Sequence, residues 1–93
     1  MRVEWSQHAV ADLRRISEYI GQDRSLEVAN RISRVIYDAI QSLQTMLYQG
    51  RPGRVENTRE ILVQTLPYIV VYRVFEKRLL ILNIVHGAQR WPN

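Results

Sequence analysis

Few residues in this chain have the type and spacing that catalysis or recognition needs. There is no cysteine, and the two histidines, His8 and His86, stand near opposite ends. That removes thiol nucleophiles and every common metal-ligand spacing, so no metal or other cofactor is expected. Gly50-Arg51-Pro52-Gly53-Arg54 holds two glycines but lacks the lysine and the serine or threonine of a phosphate loop. Two constellations remain. One is the arginine series Arg51, Arg54 and Arg59, with Arg73 further on, whose planar forks pair bidentately with phosphate or carboxylate. The other is the run Ile84-Val85-His86-Gly87-Ala88-Gln89-Arg90-Trp91-Pro92. His86 could serve as a general acid or base near neutral pH. With Arg54 and Arg90 as cations it would supply part of an RNA-cleaving site; the plainer reading is a histidine bonded to its own loop. Trp91 either stacks on a base or docks on the fold's own surface.

Charge supports an anionic partner. The net charge is +4, and residues 1–47 carry as many acids as arginines. The whole excess therefore lies in residues 48–93, and twelve of the thirteen basic residues are arginine. Arg51, Arg54, Arg59 and Arg73 are the candidate partner-binding cations, unless they form a solvated loop with Arg73 paired to Glu60.

These residues must be positioned by a single domain, since 93 residues are too few for two. Apolar residues make up 46% of the chain, which argues against disorder. A domain this small buries only about 60–65% of its unfolded surface, so a partner that covers more would stabilise it. The opening Met1-Arg2-Val3-Glu4-Trp5 is too polar for a signal peptide, and no apolar run reaches membrane-spanning length. The expected location is the cytoplasm.

The elements follow from periodicity. Residues 2–5 read as a short strand, and Ser6 as the N-cap of a helix whose stripe is Ala9, Leu13, Ile16 and Ile20, stopping at Gly21. Ser25 caps a second helix. Its stripe, Ala29, Ile32, Ile36, Ala39, Leu43 and Met46, predicts a helix of twenty-odd residues, on the order of 33 Å long. After Gly50–Arg54 the pattern becomes that of strands at 58–63, 68–75 and 79–86, with Glu76-Lys77-Arg78 as a hairpin turn. The expected fold class is α+β: an N-terminal strand, a helical hairpin and a three-stranded antiparallel meander.

A three-residue turn at 76–78 sets Arg73 opposite Ile81 and places Asn83 on the same side. The expected core face is then Val70, Tyr72 and Val74 with Leu80, Leu82 and Ile84. The other face mixes Arg73 and Asn83 with aliphatics, a composition that partner binding would explain.

The ordered series Trp5-Ser6…Ala9…Ala11-Asp12-Leu13…Ile16…Tyr19-Ile20, Thr58-Arg59-Glu60-Ile61, Leu66-Pro67-Tyr68-Ile69-Val70-Val71-Tyr72-Arg73-Val74 and Ile84-Val85-His86-Gly87 resembles the RelE/ParE toxin superfamily. The resemblance runs almost end to end. It implies a growth-inhibiting toxin of a type II toxin-antitoxin system, as in plasmid stabilization, held in a hetero-oligomer by a cognate antitoxin whose C-terminal segment wraps it. RelE-type members cleave messenger RNA on the ribosome; ParE-type members are associated with inhibition of DNA gyrase. Where the RelE type has basic residues on the first strand after the helices, this chain has Glu60 and Leu62. Its arginine after the strand-opening tyrosine matches Ile69, and its last arginine falls at Gln89, beside Arg90. The terminal catalytic tyrosine has no counterpart, although some RNA-cleaving relatives use a histidine where His86 stands. The resemblance is closer to the ParE type.

Overall fold

The computed structural model describes residues 1–92. Its elements are β1 (Arg2–Trp5), α1 (Gln7–Asp23), α2 (Leu26–Ser42), β2 (Arg51–Pro52), β3 (Arg59–Leu62), β4 (Tyr68–Val74) and β5 (Arg78–His86). The five strands form one sheet in the order β1-β5-β4-β3-β2. All neighbours are antiparallel except β1, which lies parallel to β5. The expected α+β fold is present, with two additions: the parallel seam, and a two-residue edge strand where only a break was expected.

Both helices begin where a hydroxyl can take an orphan N–H. Ser6 Oγ accepts from Ala9 N at 3.0 Å and Ser25 Oγ from Val28 N at 3.1 Å. Two expected helix ends differ. α1 runs through Gly21 to Asp23, because nothing at Gly21 demands a left-handed turn and its Cα faces Ala29 across the hairpin. α2 stops at Ser42, well short of Met46. There Leu43, Gln44 and Thr45 each bond three residues back, and the Ser42 and Thr45 hydroxyls take carbonyls of the preceding turn. Leu43 is still buried, whereas Met46 is exposed.

The hairpin lies on one face of the sheet. Ala9 of α1 and Ile36, Ile40 and Leu43 at the α2 end meet Ile61, Val70, Tyr72, Leu79, Ile81 and Ile84. Each fully buried aliphatic of this set contributes about 1.5–3 kcal/mol through burial. Tyr72 also ties down the chain leaving α2: its hydroxyl accepts from Gly50 N and donates to Leu47 O, both at 2.9 Å. A Cβ at Gly50 would stand 2.7 Å from that hydroxyl, so the position needs glycine.

Of the expected core face of β5, Leu80, Leu82 and Ile84, only Ile84 is right. Phe75 N bonds Arg78 O at 2.8 Å, so the hairpin closes over two residues, not three. This shift sets Arg73 opposite Leu80, and Leu79 and Ile81 point to the helices in place of Leu80 and Leu82. The register then slips at a bulge: Tyr72 faces Ile81 but Val71 faces Asn83, leaving Leu82 without an opposite residue. Beyond the bulge Ile84 pairs with Val70 and enters the core as expected.

Two residues of α1's end of the molecule hold that bulge. Ser6 N donates to Ile81 O at 2.9 Å, and its hydroxyl donates to Leu82 O at 2.7 Å. Nearly two helical turns on, the buried Asp12 carboxylate accepts from Ile84 N at 2.9 Å and from Asn83 Nδ2 at 3.1 Å. Arg15 pairs with its other oxygen. β1 has ended by this point, so Asp12 takes up an N–H that a longer β1 would have bonded. Asn83 is therefore tied to α1 and does not stand free on the open face beside Arg73, the place assigned to it as a partner-binding residue.

Candidate functional site

The sheet face turned away from the helices is built by alternation. Val3 and Trp5 join the core with Leu79 and Ile81, so Arg2 and Glu4 lie on the outer face with Arg78 and Leu80. Phe75, Arg73, Val71 and Ile69 continue it along β4, and Glu60 and Leu62 along β3, with Arg51 opposite Glu60. Its middle is a small apolar cluster of Ile69, Val71 and Val85, on which Leu82 and Trp91 pack. Trp91 thus docks on the fold's own surface.

Glu60 organises the arginines on one side of this cluster. Its carboxylate is almost wholly buried, with 1% of the side chain exposed. It accepts from Arg51 Nη2 at 3.2 Å and from Arg54 N at 3.0 Å, and the Arg54 Nε lies 3.9 Å away. Arg54 Nη1 in turn donates to the Trp91 carbonyl at 3.0 Å. The partner of Glu60 is therefore Arg51 and Arg54, not the Arg73 weighed from sequence. Arg73 lies over the Phe75 ring at 4.8 Å, with Arg78 at 4.5 Å from the same ring. Across the sheet Glu4 pairs with both Arg2 and Arg78 at 2.8 Å. The Arg78 bond, chiefly, holds the Glu4 carboxyl below its ordinary range. Four arginines thus share two carboxylates on and beside one sheet face, and Arg73 stands beside them as a fifth.

Burial alone would raise the Glu60 pKa. The Arg54 N–H, the Arg51 bond and the two nearby positive charges outweigh burial, and the net shift is downward from 4.5. A carboxylate depressed in the folded state stabilises fully above its unfolded pKa, and that stability is lost as pH falls through the folded value. Glu60→Gln is thus expected to cost about 1–3 kcal/mol at pH 7. The gap to the unsubstituted chain should close as unfolding is followed from pH 5 towards pH 3. A gap that stays constant over that range would contradict this assignment.

The other sequence candidates fall elsewhere. Arg59 sits opposite Tyr72 on the helix side, donating to Gly50 O at 2.7 Å and stacking on Tyr48 at 4.8 Å. It braces the α2–β2 loop and is not on the outer face with Arg51 and Arg73. His86 accepts from Ala88 N through Nδ1 at 3.0 Å, and its own N–H donates to Gln89 Oε1 at 3.2 Å. Its ring meets Tyr68 edge-on at 5.6 Å. The hollow beside it, about 130 Å³, is lined by Asp12, Arg15, Tyr68 and Gln89 among others, and neither Arg54 nor Arg90 lines it. The structure does not gather His86, Arg54 and Arg90 at this hollow. Arg90 is exposed.

A second surface lies over the helical hairpin. Trp5, Val10, Leu13 and Tyr37 line an open groove of about 500 Å³ whose rim includes Arg14 and Glu18. Trp5 and Tyr37 stack there with centroids 6.5 Å apart. No helix among the described residues is long and apolar enough to cross a membrane.

Known structures share this architecture. A chain of the chromosomal ParDE toxin-antitoxin system of P. aeruginosa superposes with a TM-score of 0.87 at 28% identity, over 92% of this chain and 95% of that one. The RelBE2 toxin-antitoxin complex of Mycobacterium tuberculosis shares the fold at a TM-score of 0.65 and 21% identity, over 95% and 92% of the two chains. These place the molecule among RelE/ParE-fold proteins. The family model described as the ParE toxin of the type II toxin-antitoxin system parDE matches residues 3–91. "Putative toxin Y4kP" of Sinorhizobium fredii is 35% identical over 91 residues, 98% of this chain and 93% of that protein. The chain belongs to the ParE toxin family of type II toxin-antitoxin systems.

Proposed function

We propose that this toxin is kept silent in a hetero-oligomer with a cognate antitoxin and that, when free, it inhibits growth by acting on DNA gyrase. The observation that carries the reading is the likeness, at TM-score 0.87 and 28% identity, to a chain of a ParDE system. That neither Arg54 nor Arg90 lines the hollow beside His86 supports a protein-directed inhibitor over a nuclease. The antitoxin segment is amphipathic and acidic. One stretch of it covers the groove of Trp5, Val10 and Tyr37, and a further stretch, wrapped to the opposite face of the sheet, brings carboxylates to Arg51, Arg54 and Arg73.

One observation favours a second reading, a ribosome-dependent messenger RNA endonuclease. His86 opens onto a hollow that also holds Tyr68 and the Arg15 guanidinium, groups able to move a proton and to meet a phosphate. The test runs purified protein in a gyrase supercoiling assay beside an RNA-cleavage assay with ribosomes. Inhibited supercoiling that His86→Ala leaves within about twofold is the expected result. Cut transcripts that His86→Ala reduces by about 10²-fold or more would replace gyrase with RNA as the target.

A further inference from the structure

The outer sheet face already has an occupant. Residues 87–92 form no strand, yet they cross this face with the Trp91 ring seated on Ile69, Val71 and Val85 and the Trp91 carbonyl turned to Arg54. This seat has a defect. Trp91 Nε1 is buried and finds no acceptor among the described residues, and a buried donor left unbonded keeps the full cost of its lost water. The segment fits in shape and falls short in hydrogen bonding.

Its surroundings are short of negative charge. Arg2 and Arg78 share Glu4, Arg51 and Arg54 share Glu60, and Arg73 pairs with no carboxylate among the described residues, lying over the Phe75 ring. Three positive charges on this face are unmatched, out of the chain's net +4.

We propose that residues 88–92 are a displaceable strap, and that what replaces them is an extended acidic segment of a protein partner bearing one large apolar side chain. The strap itself shows the shape that fits: a main chain without ladder bonds, one ring in the seat and one carbonyl on Arg54. A carboxylate in place of that carbonyl gains charge on Arg54, and others meet Arg73 and Arg51. A nucleic-acid strand suits the face less well. The floor of the seat is aliphatic and offers bases no ring to stack on, and Arg73 and Arg78 both lie against the Phe75 ring. The proposal rests on the reading of this chain as one half of a protein pair, and adds what stands on the face before the other half arrives.

The test uses the ¹⁵N-labelled full chain, following the Trp91 indole N–H resonance, assigned with Trp91→Phe. The probe is a short synthetic peptide of glutamate and serine with one central tryptophan. A lysine counterpart and a single-stranded DNA oligomer serve as controls. Saturation with the acidic probe should move the Trp91 indole to a solvent-exposed position. Trp91→Ala, and separately removal of residues 90–93, should each tighten probe binding by about tenfold or more, because the competing occupant is gone. Unchanged affinity in both variants, an indole that stays put at saturation, or displacement by the DNA or lysine peptide would overturn the proposal. Growth on expression of the chain keeps the two readings apart. A growth-inhibiting chain whose probe affinity ignores the strap loses only the strap. A harmless chain whose strap is displaced loses only the toxin reading.

Discussion

Asp12→Ala is expected to lower the midpoint of thermal unfolding by about 10–20 °C. Its carboxylate is buried and serves three donors at once: Ile84 N, the Asn83 amide and the Arg15 guanidinium. Alanine supplies none of these bonds and leaves the N–H of the buried Ile84 facing a space with no acceptor. Hydrogen bonds to a charged group contribute about 1.5–3 kcal/mol, and a buried donor left without a partner costs a similar amount. In a domain of this size 1 kcal/mol moves the midpoint by about 4–8 °C. Asp12→Asn should fall between the two, since its amide oxygen can keep both Ile84 N and the Asn83 amide while its NH₂ opposes the Arg15 guanidinium. Melting curves by circular dichroism decide it. A midpoint for Asp12→Ala within a few degrees of the unsubstituted chain would mean that the bulge at Leu82 holds without this carboxylate.

The second large effect concerns the complex. If antitoxin carboxylates meet the outer-face arginines, the dissociation constant should rise by about 10–100-fold between 0.05 and 0.5 M salt. Arg73 and Arg51 are exposed enough to be screened, whereas contacts in the groove of Trp5 and Tyr37 are apolar and should ignore salt. Arg73→Gln should flatten the slope without changing the midpoint of unfolding much, because Arg73 is exposed and forms no ion pair among the described residues, lying over the Phe75 ring. Calorimetric titration at several salt concentrations measures both. An affinity flat across the range would place the whole interface on the apolar groove.

The sequence carries the helices and strands openly and their register only in part. Stripes at Ala9, Leu13, Ile16 and at Ala29, Ile32, Ile36 have one helical reading, and Pro67 and the aliphatic alternation mark the strands. The hairpin at 75–78 has no such mark. Glu76-Lys77-Arg78 lacks the glycine or asparagine that fixes a turn's length, and a one-residue error there exchanges Leu79 and Ile81 with Leu80 and Leu82. The strand Arg51–Pro52 is too short for any periodicity, so its pairing opposite Glu60 is invisible, and with it the Arg51–Glu60–Arg54 arrangement. Asp12 did leave a signal. It lies three residues after Ala9 and four before Ile16, on the buried side of the stripe, where an acid needs a specific donor. What no local pattern holds is the donor itself, Ile84 N, on the last strand of the fold.

The parallel seam between β1 and β5 has a consequence for how the molecule comes into being. The first strand of the fold is completed by its last, Arg2 lying beside Arg78 and Trp5 beside Ile81. At about 5–20 residues per second, roughly 4–15 s separate their appearance. Until β5 appears the inner stripe of the hairpin can meet only the residues of β3 and β4, and neither the Ser6 nor the Asp12 tie to β5 can form. A half-made chain therefore lacks the finished guanidinium-lined face, and Trp5, which lines the hairpin groove, has no β5 partner to hold its strand. Both the outer face and the groove are therefore completed together, when the last strand of the fold seats beside the first.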